Sequence, residues 1–588
     1  MTTTPVTMST SERASTNRPV RRRRRRLAAL LAATAVLAVT VACARIPTNG
    51  PVRDGDTELE NISEIGYIAS GPAAGASPDQ VVQGFLSVAQ LGPTSSSSFA
   101  VAQEYVTDPA WEGWDRYARV LVLEEDPELE LDDVPADATE TTVDATVRVV
   151  ATLDERGMYT EEPRTSEFTV SFGLTRSPGG EWRISQLEDG LMLPAAFFGQ
   201  AFHPTNLYFP TPDLTWWVPD TRWFPRQTWR TDATSEVLAG PPEWLQDSTT
   251  TVIPEGTSLA IDAVTVTDDG TIDVSLTSTI SQASAEQRSL AAAQLQATLA
   301  EGEGRTVVLS DRNTPLTIAG TDAISAPRTS GEALALTGGK LVRVVGRELR
   351  EPDEPVSLAG LDPTALAAGP GDEPVVVRDG TERIVRVTGD DAPDLLLSGT
   401  KLVAPSVDRF GAVWSAQGSE LLVALASGAV RTLDVDWLSS RTIQSVRVSP
   451  EGARVAIVSS GPSGRLVHVA GVVRDAENVP TGLSAPVQVG ASVRQVTQAV
   501  WQDEAALALI GRESDGDGAV FLAGVGGLAG QGGLSRAQPG VADPRWVTAS
   551  VGTGAMLTVD EGGTLYSRQS SALWSMVSDD VDLVAYPG

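Results

Sequence analysis

The chain of 588 residues holds one cysteine and two histidines, so it has little of the side-chain chemistry that most covalent and metal catalysis uses. A lone thiol, Cys43, closes no intrachain disulfide and builds no thiolate metal site. His203 and His468 fall in different segments of the chain, which removes multi-histidine metal sites and most histidine-based triads as local constellations. Each reads as a hydrogen-bonding surface or loop residue. Bases are scarce as well: 44 Lys and Arg stand against 76 Asp and Glu. Eight of those bases and one of those acids lie in the first 42 residues, leaving the remainder near −39. Nucleic-acid phosphates reward a basic footprint, so no nucleic-acid partner is expected. The same acidity gives anionic lipid headgroups nothing to attract electrostatically. A run of apolar residues long enough to cross a bilayer is missing too. Leu27 to Ala42 is about 16 residues, short of the roughly 20 that a spanning helix needs.

What is present begins at that run. Arg21 to Arg26, the apolar stretch and the small residues before Cys43 describe a secretory signal peptide over residues 1–42. The alternative is an uncleaved anchor helix beside an idle cysteine. Thr40-Val41-Ala42-Cys43 resembles a bacterial lipobox. That resemblance implies S-diacylglycerol and N-palmitoyl groups on Cys43, and a membrane partner reached through lipid, on the extracytoplasmic face. Each buried CH2 contributes ~0.8 kcal/mol, so two or more acyl chains make a stable anchor. Residues 43–77, polar and containing Gly and Pro, read as a tether.

Three folded parts are expected after the tether. Over 78–200, Ser77-Pro78-Asp79-Gln80 is a helix start, and Val81, Val82, Phe85, Leu86, Val88 and Ala89 recur at helical spacing. A second helix fits Phe99–Tyr105. From Thr141 the period falls to two, in Val143, Ala145, Val147, Val149 and again in Phe168, Val170, Phe172, Leu174. Helices first and an antiparallel sheet afterwards predict an α+β domain, similar to the cone-shaped nuclear-transport-factor-like type.

Over 201–317 five of the 13 tryptophans crowd into 29 residues: Trp216, Trp217, Trp223, Trp229 and Trp244. Trp216, Trp217 and Trp223 are the candidate partner-binding residues; the competing reading makes the cluster the core of a compact sheet. Asp268-Asp269-Gly270 between Val264–Val266 and Ile272–Leu276 predicts a hairpin. Leu290, Ala293 and Ala297 mark a helix, and Thr306–Leu309 a strand.

Over 318–588 short strand pairs recur, and the turns Asp408-Arg409-Phe410-Gly411 and Ser449-Pro450-Glu451-Gly452 stand 41 residues apart. Steps of about 40–50 residues match four-stranded propeller blades. The expectation is an all-β propeller of about six blades, with a pair of β-sandwiches as the structural rival.

Leu238-Ala239-Gly240-Pro241 with Trp244-Leu245, Ile253-Pro254-Glu255-Gly256-Thr257, Ile272-Asp273-Val274-Ser275 and Ala293 to Leu299 resemble the GerMN domain. Taken with the lipobox, Val81 to Leu86, Ala102-Gln103-Glu104-Tyr105 and the propeller, the arrangement is similar to the LpqB family of actinobacterial lipoproteins. One departure is Thr221–Ser235, rich in Trp, Arg and Thr where that family expects a helix. The resemblance implies a regulatory lipoprotein at the cell membrane. Its implied partner is the extracytoplasmic domain of a sensor histidine kinase of an MtrA–MtrB-like two-component system, in cell-envelope homeostasis and division. The alternative is a secreted protein that binds or cleaves cell-wall glycan, marked by acids, Arg and Tyr converging on the propeller mouth. No catalytic residue, cofactor or metal site is assigned. Gly524-Val525-Gly526-Gly527-Leu528-Ala529 fits a dinucleotide fingerprint in letters, but lacks the βαβ setting and reads as a propeller loop. Ser514-Asp515-Gly516-Asp517-Gly518 lacks the spaced ligands of a calcium loop and reads as a hairpin tip.

Overall fold

Gln80 accepts the backbone N–H of Ser77 at 3.1 Å and so caps the first helix, α1 (Pro78–Ala89). Val81, Val82, Phe85 and Val88 on one face of α1 are buried. The second helix, α2 (Ser96–Gln103), starts and ends earlier than the expected Phe99–Tyr105. Beneath them lies a sheet of β1 (Arg119–Leu123), β2 (Glu128–Leu131), β3 (Glu140–Asp154), β4 (Tyr159–Arg176), β5 (Trp182–Gln186) and β6 (Leu191–Pro194). Its order is β5-β4-β3-β1-β6, with β2 also on β3, and only the β1–β6 pair is parallel. The predicted alternation points Val143, Ala145, Val147 and Val149 inward, and Val170, Phe172 and Leu174 opposite them. Phe168 differs. It is 52 % exposed although its partner Val147 is covered, so it marks the rim of the buried layer.

This computed structural model describes residues 69–588 except 301–303, 313, 320–323, 330, 390, 513–515 and 531. The signal peptide, Cys43 and the tether as far as residue 68 lie outside the described residues, as do Ser514 and Asp515.

The second α+β part opens with an antiparallel hairpin, β7 (Phe202–Pro210) and β8 (Trp217–Pro225), followed by α3 (Trp229–Ala239). Thr221–Ser235 is therefore strand and then helix. The Trp and Thr content that obscured the helix belongs to β8 and to the first turn of α3. The expected hairpin forms between β9 (Thr265–Val266) and β10 (Thr271–Leu276), with Gly270 at φ 83°, where a side chain would be strained. Next comes α4 (Ala285–Leu299), begun by a reciprocal Ser284–Gln287 capping box. It carries the chain across to β11 (Thr306–Asp311), which pairs parallel to β10.

From residue 333 the chain forms six successive sheets, each an antiparallel set of four main strands. This is the propeller. The innermost strands are Leu583–Ala585, Pro363–Ala368, Ser406–Val407, Thr442–Val448, Arg494–Trp501 and Pro544–Ala549. The last strand in sequence closes the first sheet, with Leu334 opposite Ala585 and Leu336 opposite Leu583. Closure removes the free edges that a broken ring would offer to other chains. The two turns 41 residues apart do occupy equivalent corners, and Gly411 and Gly452 both have φ 74°. At one end of the axis Leu366, Val448, Val500, Val584 and the tail Tyr586–Gly588 leave a cavity of about 40 Å³.

His468 lies on Gly464–Arg474, its ring 5.3 Å from that of Trp437. Burial, aided by the nearby Arg441 guanidinium, lowers its pKa to about 4. The folded pKa is below the unfolded one, so its contribution is present above pH ~6.5 and is lost as pH falls toward ~4. His468→Gln is expected to flatten the stability-versus-pH curve in that window by about 2 kcal/mol, a value discounted for partial exposure. Denaturant titrations at pH 7 and pH 4.5 measure it.

Candidate functional site

The β7–β8 hairpin holds the folded parts together. Soluble hairpins usually bury one face, yet eight of the nine residues of β8 are buried. Its side chains enter separate cores. Trp223 joins the core of the first sheet, Phe224 that of the second α+β part, and Val218 that of the propeller. Trp217 packs with Leu290 of α4 and Ile324. Ala69–Gly588 accordingly forms one compact unit.

Polar contacts fix the same junction. The Trp223 indole donates to the Gly526 carbonyl at 2.9 Å, and its ring lies 5.9 Å from that of Tyr159. A Cβ on Gly533 would come within 2.3 Å of the Tyr159 ring, and one on Gly527 within 2.9 Å. Gly527 and Gly533 thus allow close approach of aromatic rings, and the segment runs from strand to loop to strand. Glu161 accepts hydrogen bonds from Ser492 at 2.7 Å and from the Ser535 hydroxyl at 2.8 Å. Arg409 pairs with Asp213 at 2.6 Å. Burial acts to raise the Asp213 carboxyl, but the Thr211 and Thr215 hydroxyls and Arg409 outweigh it and hold the pKa at about 2.

Two ion pairs here are dry. Arg222 and Asp220 meet at 2.7 Å, and Arg454 and Glu451 at 2.7 Å, with all four side chains 2 % exposed or less. Arg454 also reaches the Pro219 carbonyl at 3.4 Å and the Glu504 carbonyl at 2.7 Å, and its guanidinium lies 4.5 Å from the Trp501 ring. One side chain therefore ties a propeller corner to β8.

Beside Arg454 opens a cleft of about 650 Å³ between the hairpin, α4 and the propeller face, within the size range of small-molecule sites. The Glu504 carboxylate sits in its wall. One oxygen accepts hydrogen bonds from the Tyr208 hydroxyl and from Asn206 at 3.1 Å. Asn206 is itself held by the Thr221 hydroxyl at 2.8 Å. Burial pushes the Glu504 carboxyl up, opposed by Tyr208, Arg454 and Asn206, while Asp503 adds to the rise. Tyr208, whose hydroxyl meets that carboxylate, is pushed far up by burial.

The tryptophans singled out by spacing are placed as follows. Trp223 is 1 % exposed and Trp217 6 %, both packed inside the unit; Trp216 is half-buried in the loop before β8. The first two offer no open face to an outside partner in this arrangement. His203 stacks on Trp229 at 4.4 Å. Among the described residues no group of three His, Cys, Asp or Glu side chains is placed to hold a metal, and no helix is long and apolar enough to cross a membrane. Sequence reasoning missed Asn206, Tyr208 and Glu504. The one available signal was Glu451 and Arg454 bracketing a turn already singled out by its repeat.

Three family models match in sequence order: "Lipoprotein LpqB, N-terminal domain" over residues 71–199, "Sporulation and spore germination" over 206–316, and "Lipoprotein LpqB beta-propeller domain" over 339–587. Lipoprotein LpqB of Bifidobacterium longum is 26 % identical over 499 residues, covering 80 % of this chain and 83 % of its own. That of Cutibacterium acnes is 26 % identical over 620 residues, covering 97 % and 99 %. That of Thermobifida fusca is 25 % identical over 637 residues, covering 94 % and 98 %. With all three parts matched in this order and the relatives aligned over most of their length, the chain belongs to the LpqB lipoprotein family.

Proposed function

We propose that this chain is a lipid-anchored extracytoplasmic accessory protein that binds a membrane sensor histidine kinase and modulates its signalling in cell-envelope homeostasis and division. The observation that carries the anchoring is Cys43. It is the sole cysteine of a chain whose relatives are lipoproteins, and it stands directly behind a basic, then apolar, leader. Cys43→Ser is expected to move the protein out of the membrane fraction. Mass spectrometry of the membrane-extracted N-terminal peptide is expected to show acyl mass on residue 43, and an unmodified thiol there would overturn the anchor.

The kinase partner rests on the family resemblance. Support comes from the build of the body: domains joined by a shared hairpin, by the Trp223–Gly526 hydrogen bond and by the reach of Arg454 to Pro219 suit a ligand that favours one kinase state, since a partner shifts an equilibrium only by its differential affinity. Capture of the kinase's extracytoplasmic domain by the purified full-length chain in detergent tests this. Absence of binding with wild-type protein would remove it. Trp216→Ala is the informative variant, because Trp217 and Trp223 are packing residues whose loss disturbs the body itself.

The glycan reading keeps one supporting observation, the polar cleft. The acids gather there, off the propeller axis, while the axial end is lined largely by apolar residues.

A further inference from the structure

We propose that the cleft between the β7–β8 hairpin and the propeller face is a binding site for an alkylammonium group, with Glu504 and Asp503 as its acidic wall. Among the described residues two carboxylates line the cleft, and the only cationic lining residue is Arg328, which is exposed. Among the described residues neither acid forms a salt bridge. One Asp503 oxygen accepts the Ala505 N–H at 2.8 Å. One Glu504 oxygen is taken by Tyr208 and Asn206, and for the other no partner is found among the described residues.

That carboxylate does not swing freely. Its acceptor bonds come from one domain, while its backbone carbonyl is held at 2.7 Å by Arg454 from another. A fixed, half-buried negative group with unused acceptor capacity is completed by a cation that donates hydrogen bonds. The remaining wall explains the rest of the ligand. Ala297, Ala300, Ala505 and Ala506 give a short apolar surface suited to a methylene stem. A saccharide fits less well, because among the described residues Tyr208 is the only aromatic lining residue and its hydroxyl is already engaged. A bound metal is disfavoured by the lack of a third ligand among the described residues.

The same ammonium has two sources, a free diamine or a lysine side chain on a peptide, and calorimetry separates them. Full-length chain in detergent is titrated with cadaverine, with the tripeptide Ala-Lys-Ala, with its uncharged norleucine counterpart, and with N-acetylglucosamine disaccharide. Binding of cadaverine supports a free amine, and tighter binding of Ala-Lys-Ala supports a peptide-borne lysine. Either is expected to weaken about tenfold or more in Glu504→Gln, a change that keeps an acceptor for Tyr208 and Asn206. Should that variant melt early, Ala297→Phe, which narrows the cleft from α4 and leaves both acids in place, is expected to abolish binding. No binding of either amine, equal binding of the norleucine peptide, or disaccharide binding unaffected by Glu504→Gln would each overturn the assignment.

Discussion

Deleting Leu583–Gly588 is expected to abolish cooperative folding of the propeller. These residues supply the innermost strand of the sheet that begins at Ala333, although that strand is the last in the chain. Leu583, Val584 and Ala585 are 3–6 % exposed. Burial of a Leu or Val side chain stabilises by about 1.5–3 kcal/mol, and the ladder bonds to Leu334 and Leu336 go with it. The tail beyond seals the axis, where the Gly588 N–H donates to Ala368 at 2.9 Å and that of Tyr586 to Thr548 at 2.8 Å. The summed loss, about 5 kcal/mol or more, is comparable with the 5–15 kcal/mol of a whole domain. The opened ring also exposes two strand edges to aggregation. Thermal melting by circular dichroism, with sedimentation, is the check. The control removes Gly588 alone and leaves the strand intact. A truncated chain that melted like the full-length one would show that the ring does not depend on this closure.

Arg454→Ala is expected to destabilise by about 3–5 kcal/mol, because it leaves the Glu451 carboxylate buried without its cation. The Glu451 side chain is fully buried, so water cannot take the place of the guanidinium. The Pro219 and Glu504 carbonyls also lose a donor, at about 1–3 kcal/mol for a buried unsatisfied group. Replacing both partners by apolar residues, Arg454→Met with Glu451→Leu, is expected to recover much of the loss, since the expensive item is the orphaned charge and not the missing bond. Denaturant midpoints of the two singles and the double form the cycle. Because Arg454 joins a propeller corner to β8, the single variant is also expected to separate the unfolding of the propeller from that of the preceding domains. Coincident unfolding, or a double variant no better than Arg454→Ala, would sink this account of the junction.

Much of the architecture was legible because it is written in near neighbours. The change from helical to alternating period marks where α1 and α2 give way to β3 and β4. Asp269-Gly270 sets a hairpin whatever surrounds it. The repeated corners at Asp408 and Ser449 are turn chemistry too, and their spacing leads to the blade count. β8 was harder. Helical and alternating patterns both assume one covered face, and Trp217–Pro225 is covered on both sides by domains far apart in sequence. A Trp cluster on such a strand carries the same letters as one waiting for an outside partner.

The sequence by itself determined the arginine run and apolar stretch ahead of the lone Cys43, the acidic balance and the order of α+β, α+β and propeller parts, since each follows from composition or from period over a few residues. The tertiary structure alone decided that Trp223 is mortar, that Gly527 and Gly533 admit aromatic rings, and that a cleft exists. Tyr208 and Glu504 are 296 positions apart, and local pattern carries no information over that distance; only the packing of the hairpin onto the propeller face brings the phenol to the carboxylate.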